Sequence, residues 1–139
     1  MIQYVLDTDH VSLHFRGHSQ VGQKLTLIPP DEIATTTITA EEQLRGRLAQ
    51  IKNASTKDAL AMAHYRFRQA IYDLAKLNIL EFDSAAIAVF KDLKRQRPRA
   101  GSQDLRIAAI AIANGAIVVT RNRVDFGQIA GLQSDDWTV

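Results

Sequence analysis

Short β-branched runs alternate with helical stretches along this chain of 139 residues, and that alternation limits its fold more than any other feature. A first strand is predicted over Gln3–Leu6, and the β-branched run Ile33–Thr37 predicts a second. Ile79–Phe82 and Ala116–Thr120 read as a third and fourth, and Leu132–Trp137 supplies a fifth. Strands separated by helices imply a mainly parallel sheet of four to five strands with helices on both faces, a three-layer α/β/α arrangement. Folds of this kind place their sites beyond the carboxyl ends of the strands.

The helices are marked by their boundaries. Val11–Phe15 is a short one ended by Gly17, and Ser19–Leu27 is another, stopped by Pro29-Pro30. Thr39-Ala40-Glu41-Glu42 fits a capping box with Thr39 as cap and Glu42 three residues on, opening a helix with Leu44, Leu48 and Ile51 on one face. A long helix over Thr56–Lys76 carries Leu60, Ala63, Phe67, Ala70, Ile71, Leu74 and Leu77 at helical spacing. These two make an inserted helical hairpin. Asp83-Ser84 caps a helix reaching about Arg97, and Ser102 caps another over Gln103–Asn114, ended by Asn114-Gly115. The last of these is apolar on every side from Ile107 to Ala113 and is expected to be buried.

Composition sets the class. At 46% apolar and 23% charged, the chain reads as one globular domain over residues 1–139. With no cysteine, it has no disulfide, zinc–thiolate or thiol chemistry. No apolar run approaches a membrane span, and no basic segment precedes an apolar stretch at the N-terminus, so the expectation is a cytoplasmic protein without a signal peptide. The formal net charge of +2 and pI of about 9.1 point only weakly to a polyanionic partner.

Four acidic residues carry the chemical signal. Asp7 ends the first strand, Glu42 starts the helix after the second, Asp104 opens the apolar helix, and Asp125 follows the fourth strand. Each has an ordinary structural explanation: a helix cap, a capping box, a favourable helix dipole, a turn. Topology nevertheless brings all four to one sheet edge, independently of their side-chain types. Carboxylates gathered without basic partners repel one another unless a cation sits among them, and an all-oxygen set suits a hard divalent metal.

Four blocks of sequence also carry a resemblance. They are Tyr4-Val5-Leu6-Asp7-Thr8-Asp9, Thr39-Ala40-Glu41-Glu42-Gln43-Leu44-Arg45-Gly46, Asp104-Leu105-Arg106-Ile107-Ala108-Ala109 and Thr120-Arg121-Asn122-Arg123-Val124-Asp125-Phe126. In order and spacing the chain resembles the PIN-domain ribonucleases, and within them the VapC-type toxins of toxin–antitoxin pairs, over nearly its whole length. The glycine four residues after Glu42 selects it over Glu41. Asp9 stands where many relatives have asparagine. The resemblance implies a PIN-like fold and a metal-dependent endoribonuclease. It further implies that Asp7, Glu42, Asp104 and Asp125 hold one or two Mg²⁺ or Mn²⁺ ions, that Asn122 steadies the site, and that Thr8 or Thr120 hydrogen-bonds the ligand carboxylates. The partners it implies are an RNA substrate, a separate antitoxin chain and a second copy in a homodimer.

The basic run Lys91, Lys94, Arg95, Arg97 and Arg99 precedes the Asp104 helix, and Arg45, Arg47, Arg121 and Arg123 flank the carboxylate blocks. Lys94, Arg95, Arg97, Arg99 and Arg121 are candidates for RNA phosphate contacts, against the alternative of a solvated helix face. His10, His14 and His18 are spaced by four, but Gly17 interrupts the helix that would stack them, so surface or groove-lining histidines are expected. Tyr65, Phe67 and Tyr72 serve either core or partner surfaces, and Trp137 anchors the last strand. Two other functions compete with this one. One is a PIN-like scaffold that binds RNA or protein without cutting. The other is a haloacid-dehalogenase-type phosphohydrolase, for which Asp7-Thr8-Asp9-His10-Val11 supplies a D-x-D-x-[TV] motif with Asp7 as nucleophile and Asp9 as acid/base. That reading leaves Glu42 and the Thr120–Phe126 block without a role.

Overall fold

The structure, a computed structural model, describes residues 1–96 and 98–139. Its elements run β1 (Tyr4–Leu6), α1 (Thr8–Phe15), α2 (Ser19–Leu27), β2 (Ile33–Thr36), α3 (Thr37–Asn53), α4 (Lys57–Ala75), β3 (Asn78–Leu80), α5 (Ser84–Arg95), α6 (Ser102–Ala113), β4 (Ile117–Val119), α7 (Arg123–Phe126) and β5 (Ser134–Asp135). The strands form one five-stranded sheet in the order β3-β2-β1-β4-β5, and every pairing is parallel.

Strand alternation splits the core into two layers. Val5 and Val118 face one side, where they pack with Ala86, Leu93, Leu105, Ile107 and Ile110 of α5 and α6. Leu6 and Val119 face the other, against Val11, Val21, Leu74 and Trp137. Successive side chains on a strand point to opposite faces, so one strand feeds both layers. Helix α6 buries every residue from Ile107 to Ala111, as its all-round apolar character predicts, while Ile112 is half-buried and Ala113 at its end is exposed. Each of its buried isoleucines contributes about 1.5–3 kcal/mol. Trp137 is buried too, its ring edge-on to Tyr4 at 5.3 Å between centroids, and it anchors the end of the chain as expected.

Several boundaries differ from the sequence expectation. Strand β2 stops at Thr36, whose hydroxyl accepts from the Thr39 amide at 3.2 Å and caps α3. The Thr39–Glu42 capping box therefore does not form, and Glu42 lies in the second turn. The run of neighbouring threonines offered several caps, and the extended backbone at Thr36 selected one. Ser102 is the first residue of α6 rather than its cap, and its hydroxyl receives Lys94 Nζ at 3.2 Å. The apolar stripe of α4 is only partly covered: Ala63, Ala70 and Leu74 are buried, while Leu60 and Ile71 are exposed. Among the described residues no helix is long and apolar enough to cross a membrane.

Candidate active site

The parallel sheet brings the ends of β1 and β4 together, and Asp7 is fixed there by three links. Its amide donates to the Val119 carbonyl at 3.0 Å. One carboxylate oxygen accepts from the Thr8 amide at 2.6 Å and caps α1, and the other accepts from the Thr120 hydroxyl at 2.8 Å. The capping role and the place in the cluster are thus filled by the same side chain. Asp7 is 6% exposed. Burial pushes its carboxyl up to about 6, the charges of Asp9 and Asp104 push the same way, and the two hydrogen bonds oppose them.

The other carboxylates stand around it. The Thr8 hydroxyl donates to Glu42 Oε1 at 3.1 Å and lies 3.1 Å from the Thr39 hydroxyl, which ties the start of α1 to α3. Asp104, in the first turn of α6, is half-buried. Its carboxyl is raised by burial first, then by Glu42, Asp125 and Asp9. Asn122 caps α7: its Oδ1 accepts from the Asp125 amide at 3.5 Å, and its Nδ2 donates to Asp125 Oδ2 at 3.2 Å. The charge of Asp104 thus meets those of Asp7, Glu42 and Asp125, with Asn122 beside the last of them.

Asp9 joins this field. One of its oxygens lies 2.6 Å from His10 Nδ1, and the other accepts from the Arg121 amide at 3.1 Å and from the Thr120 hydroxyl at 3.4 Å. His10 is fully buried, which corrects the expectation of a surface or groove-lining histidine. Its Nε2 accepts from the Trp137 amide at 3.1 Å, so Nδ1 carries the proton toward Asp9. The ring thus braces the carboxylate edge against the end of the chain. Local sequence carried no signal for this contact, because Trp137 is 127 residues away. His18 instead caps α2, its Nδ1 accepting from the Val21 amide.

The basic candidates divide. Arg99 Nε lies 3.4 Å from Asp125 Oδ1 and is the one direct ion pair to the carboxylate set among the described residues, so the set is not wholly without a basic partner. Arg95 pairs with Asp92 on an exposed face, and Lys94 holds Ser102. Arg121 contributes its backbone amide to Asp9. Arg97 lies outside the described residues.

Among the described residues no three histidines or carboxylates are grouped as a ready-made cage for a metal ion. The donor chemistry does fit a hard divalent cation. Every candidate ligand is an oxygen, and Asp7 and Asp104 are raised by burial and, beyond it, by neighbouring negative charge that a cation would relieve.

Comparison with known proteins agrees with this layout. Over 69 residues the chain is 32% identical to the tRNA(fMet)-specific endonuclease VapC of Shigella flexneri, a match that covers 47% of this chain and 52% of that relative, about half its length. Over 137 residues it is 26% identical to Ribonuclease VapC1 of Haemophilus influenzae (strain R2866), covering 97% of this chain and 98% of the relative. The crystal structure of VapBC2 from Rickettsia felis, bound to a DNA fragment from their promoter, superposes with a TM-score of 0.75 at 26% identity over 99% of each chain. The PIN domain itself matches residues 4–132, a span that begins on β1 and takes in all five carboxylates. On that match, and on a parallel sheet with acidic residues along one edge, the chain belongs to the PIN-domain family.

Proposed function

We propose that this chain is a divalent-metal-dependent endoribonuclease that cuts RNA phosphodiester bonds and acts as the toxin of a toxin–antitoxin pair. The observation that carries the reading is the gathering of carboxylates at one sheet edge, where burial first and neighbouring negative charge second hold Asp7 and Asp104 above the usual range. The VapC relatives, one an endonuclease specific for tRNA(fMet) and one a ribonuclease, support it.

In this reading Asp7, Glu42, Asp104 and Asp125 hold one or two Mg²⁺ or Mn²⁺ ions. When bound, such an ion lowers the pKa of an attacking water and neutralises charge on the scissile phosphate. The rest is done by the chain. Thr120 and the Thr8 amide hold both oxygens of Asp7, Thr8 holds Glu42, and Asn122 holds Asp125. Side chains oriented in this way present their free lone pairs in a fixed direction, which is the usual work of groups behind metal ligands. Arg99, beside Asp125, offers an incoming phosphate a cationic partner. No histidine base is needed, and His10 is occupied on both nitrogens.

The VapBC neighbour supports a separate antitoxin as partner. The exposed Leu60, Met62, Ile71 and Tyr72 of α4 offer apolar surface to a second copy or to that partner, and a homodimer is proposed. The RNA substrate sets its place of action in the cytoplasm.

The test is cleavage of a mixed RNA pool containing tRNA(fMet), other tRNAs and rRNA, with Mg²⁺, Mn²⁺ or EDTA, beside the Asp7→Asn variant. Discrete metal-dependent fragments, absent with the variant, are expected. Absence of cleavage by folded protein free of antitoxin would turn the reading to a binding scaffold.

A further inference from the structure

A pocket of about 280 Å³ lies between α1, α3 and α4, outside the carboxylate set. Three arginines line it: Arg16 from the end of α1, Arg47 from α3 and Arg66 from α4, with Tyr65 beside them. Among the described residues none of the three pairs with a carboxylate. Arg16 Nε is turned to the Ser12 carbonyl at 3.3 Å, and Arg47 to Gln50 Oε1 at 3.2 Å. Asp73 also lines the pocket, and it accepts from Gln69 Nε2 at 3.2 Å. Three guanidinium groups against one carboxylate leave two positive charges in excess. Guanidinium groups grouped without acidic partners repel one another, and a fork of donors of this kind matches phosphate.

The pocket continues into the site. Gln43 and Arg47 also border a second depression, which Glu42 and Gly46 line. Gln43 is anchored by donating to the Ser12 hydroxyl at 2.7 Å, so the wall between the two is fixed. Arg47 follows Glu42 by five positions on α3, which is about 7.5 Å along the helix axis. Gly46 stands between them, and a Cβ added there would meet nothing within 4 Å. An exposed glycine inside a helix weakens it. No packing within this chain accounts for it, whereas close approach of a ligand backbone does.

We propose that the Arg16–Arg47–Arg66 pocket is a binding subsite for the RNA backbone, placed beside the cutting edge. It takes phosphates flanking the scissile one, with Gly46 leaving room for the strand and Tyr65 offering a face for an unpaired base. The proposal rests on the ribonuclease reading above. It adds to the phosphate contact that Arg99 offers beside Asp125. An acidic peptide would also satisfy the arginines, but it would leave both the open glycine and the continuity with Glu42 without a role.

The experiment uses the Asp7→Asn protein, expected to bind without cutting, and a labelled tRNA across a salt series. Single-stranded contacts each contribute about 0.7 to the slope of log K against log salt, so the added changes Arg16→Ala, Arg47→Ala and Arg66→Ala are expected to lower it by about 2. Affinity at low salt is expected to fall at least about tenfold, and Tyr65→Ala alone to weaken binding by about tenfold. The control Arg68→Ala, whose guanidinium lies over Tyr72, is expected to change little. Circular dichroism checks that each variant is folded. Wild-type cleavage with Mn²⁺ is run in parallel. If wild type cuts RNA and the triple variant keeps its slope and affinity, the subsite is overturned while the nuclease stands. If wild type neither binds nor cuts RNA, both fall. If the triple variant loses only an acidic peptide or the antitoxin, the pocket is a protein site and the proposal is overturned.

Discussion

Thr120 and Asp7 are 113 residues apart in sequence and 2.8 Å apart in the fold, the hydroxyl donating to the carboxylate. The contact exists because β1 and β4 are neighbours and end level with each other, Leu6 opposite Val119. The same hydroxyl accepts from the Asn122 amide at 2.9 Å, so one side chain orients Asp7 and starts the turn that presents Asp125.

Asp7→Asn separates stability from activity. The folded carboxyl titrates at about 6 against an ordinary 3.8, so between these values the folded state binds more protons than the unfolded one. Stability attributable to Asp7 is therefore lost as pH rises from about 4 to 6, on the order of 3 kcal/mol. In EDTA at pH 8 the Asn variant is expected to be about 1–3 kcal/mol more stable than wild type. The gain should shrink toward pH 4, and RNA cleavage should be absent throughout. Urea denaturation at pH 4, 6 and 8 checks it; an unchanged difference across that range would contradict the shift.

Removing the Thr120 hydroxyl acts in the opposite direction. Thr120→Val deletes the side-chain hydrogen bond that favours the ionised form of Asp7, so that carboxyl should rise further. The acid limb of the cleavage profile is expected to move to higher pH, with activity about 10–100-fold lower at neutral pH. A pH–rate profile beside wild type reads this directly, and an unmoved limb would argue against the contact's role.

Gly46→Ala tests the open face of α3. The φ/ψ there is helical and nothing lies within 4 Å of the new methyl, so the fold should gain up to about 1 kcal/mol. Cleavage is expected to fall nonetheless, with the loss in KM for RNA. Thermal melting and steady-state kinetics on the same preparation would show whether stability and activity part in this way.

His10→Ala breaks the brace between the carboxylate edge and the end of the chain. It leaves the Trp137 amide and Asp9 Oδ1 without their partner and opens a cavity in a fully buried position. A destabilisation of about 2–4 kcal/mol is expected. Hydrogen exchange at the Trp137 amide is expected to quicken more than at Val118 in β4. Equal protection at both sites would mean the brace is not local.

The alternation of strands and helices, the burial of α6 and the four acidic blocks were legible in the sequence because each is a local pattern. A period of two, a period of three to four, or a carboxylate at the end of an apolar run needs no knowledge of distant residues. Boundaries were less legible where several residues competed for one role. Thr36 rather than Thr39 caps α3, and that moved Glu42 into the second turn, where the Thr8 hydroxyl meets it. The order of the strands, which only the packed sheet decides, brought Thr120 to Asp7, His10 to Trp137 and the charges of Asp9, Asp104 and Asp125 into one field. The sequence by itself determined which chemistry was available and at which edge. The tertiary structure decided how those groups are held, because hydrogen bonds and shared electrostatic fields depend on separation in space rather than along the chain.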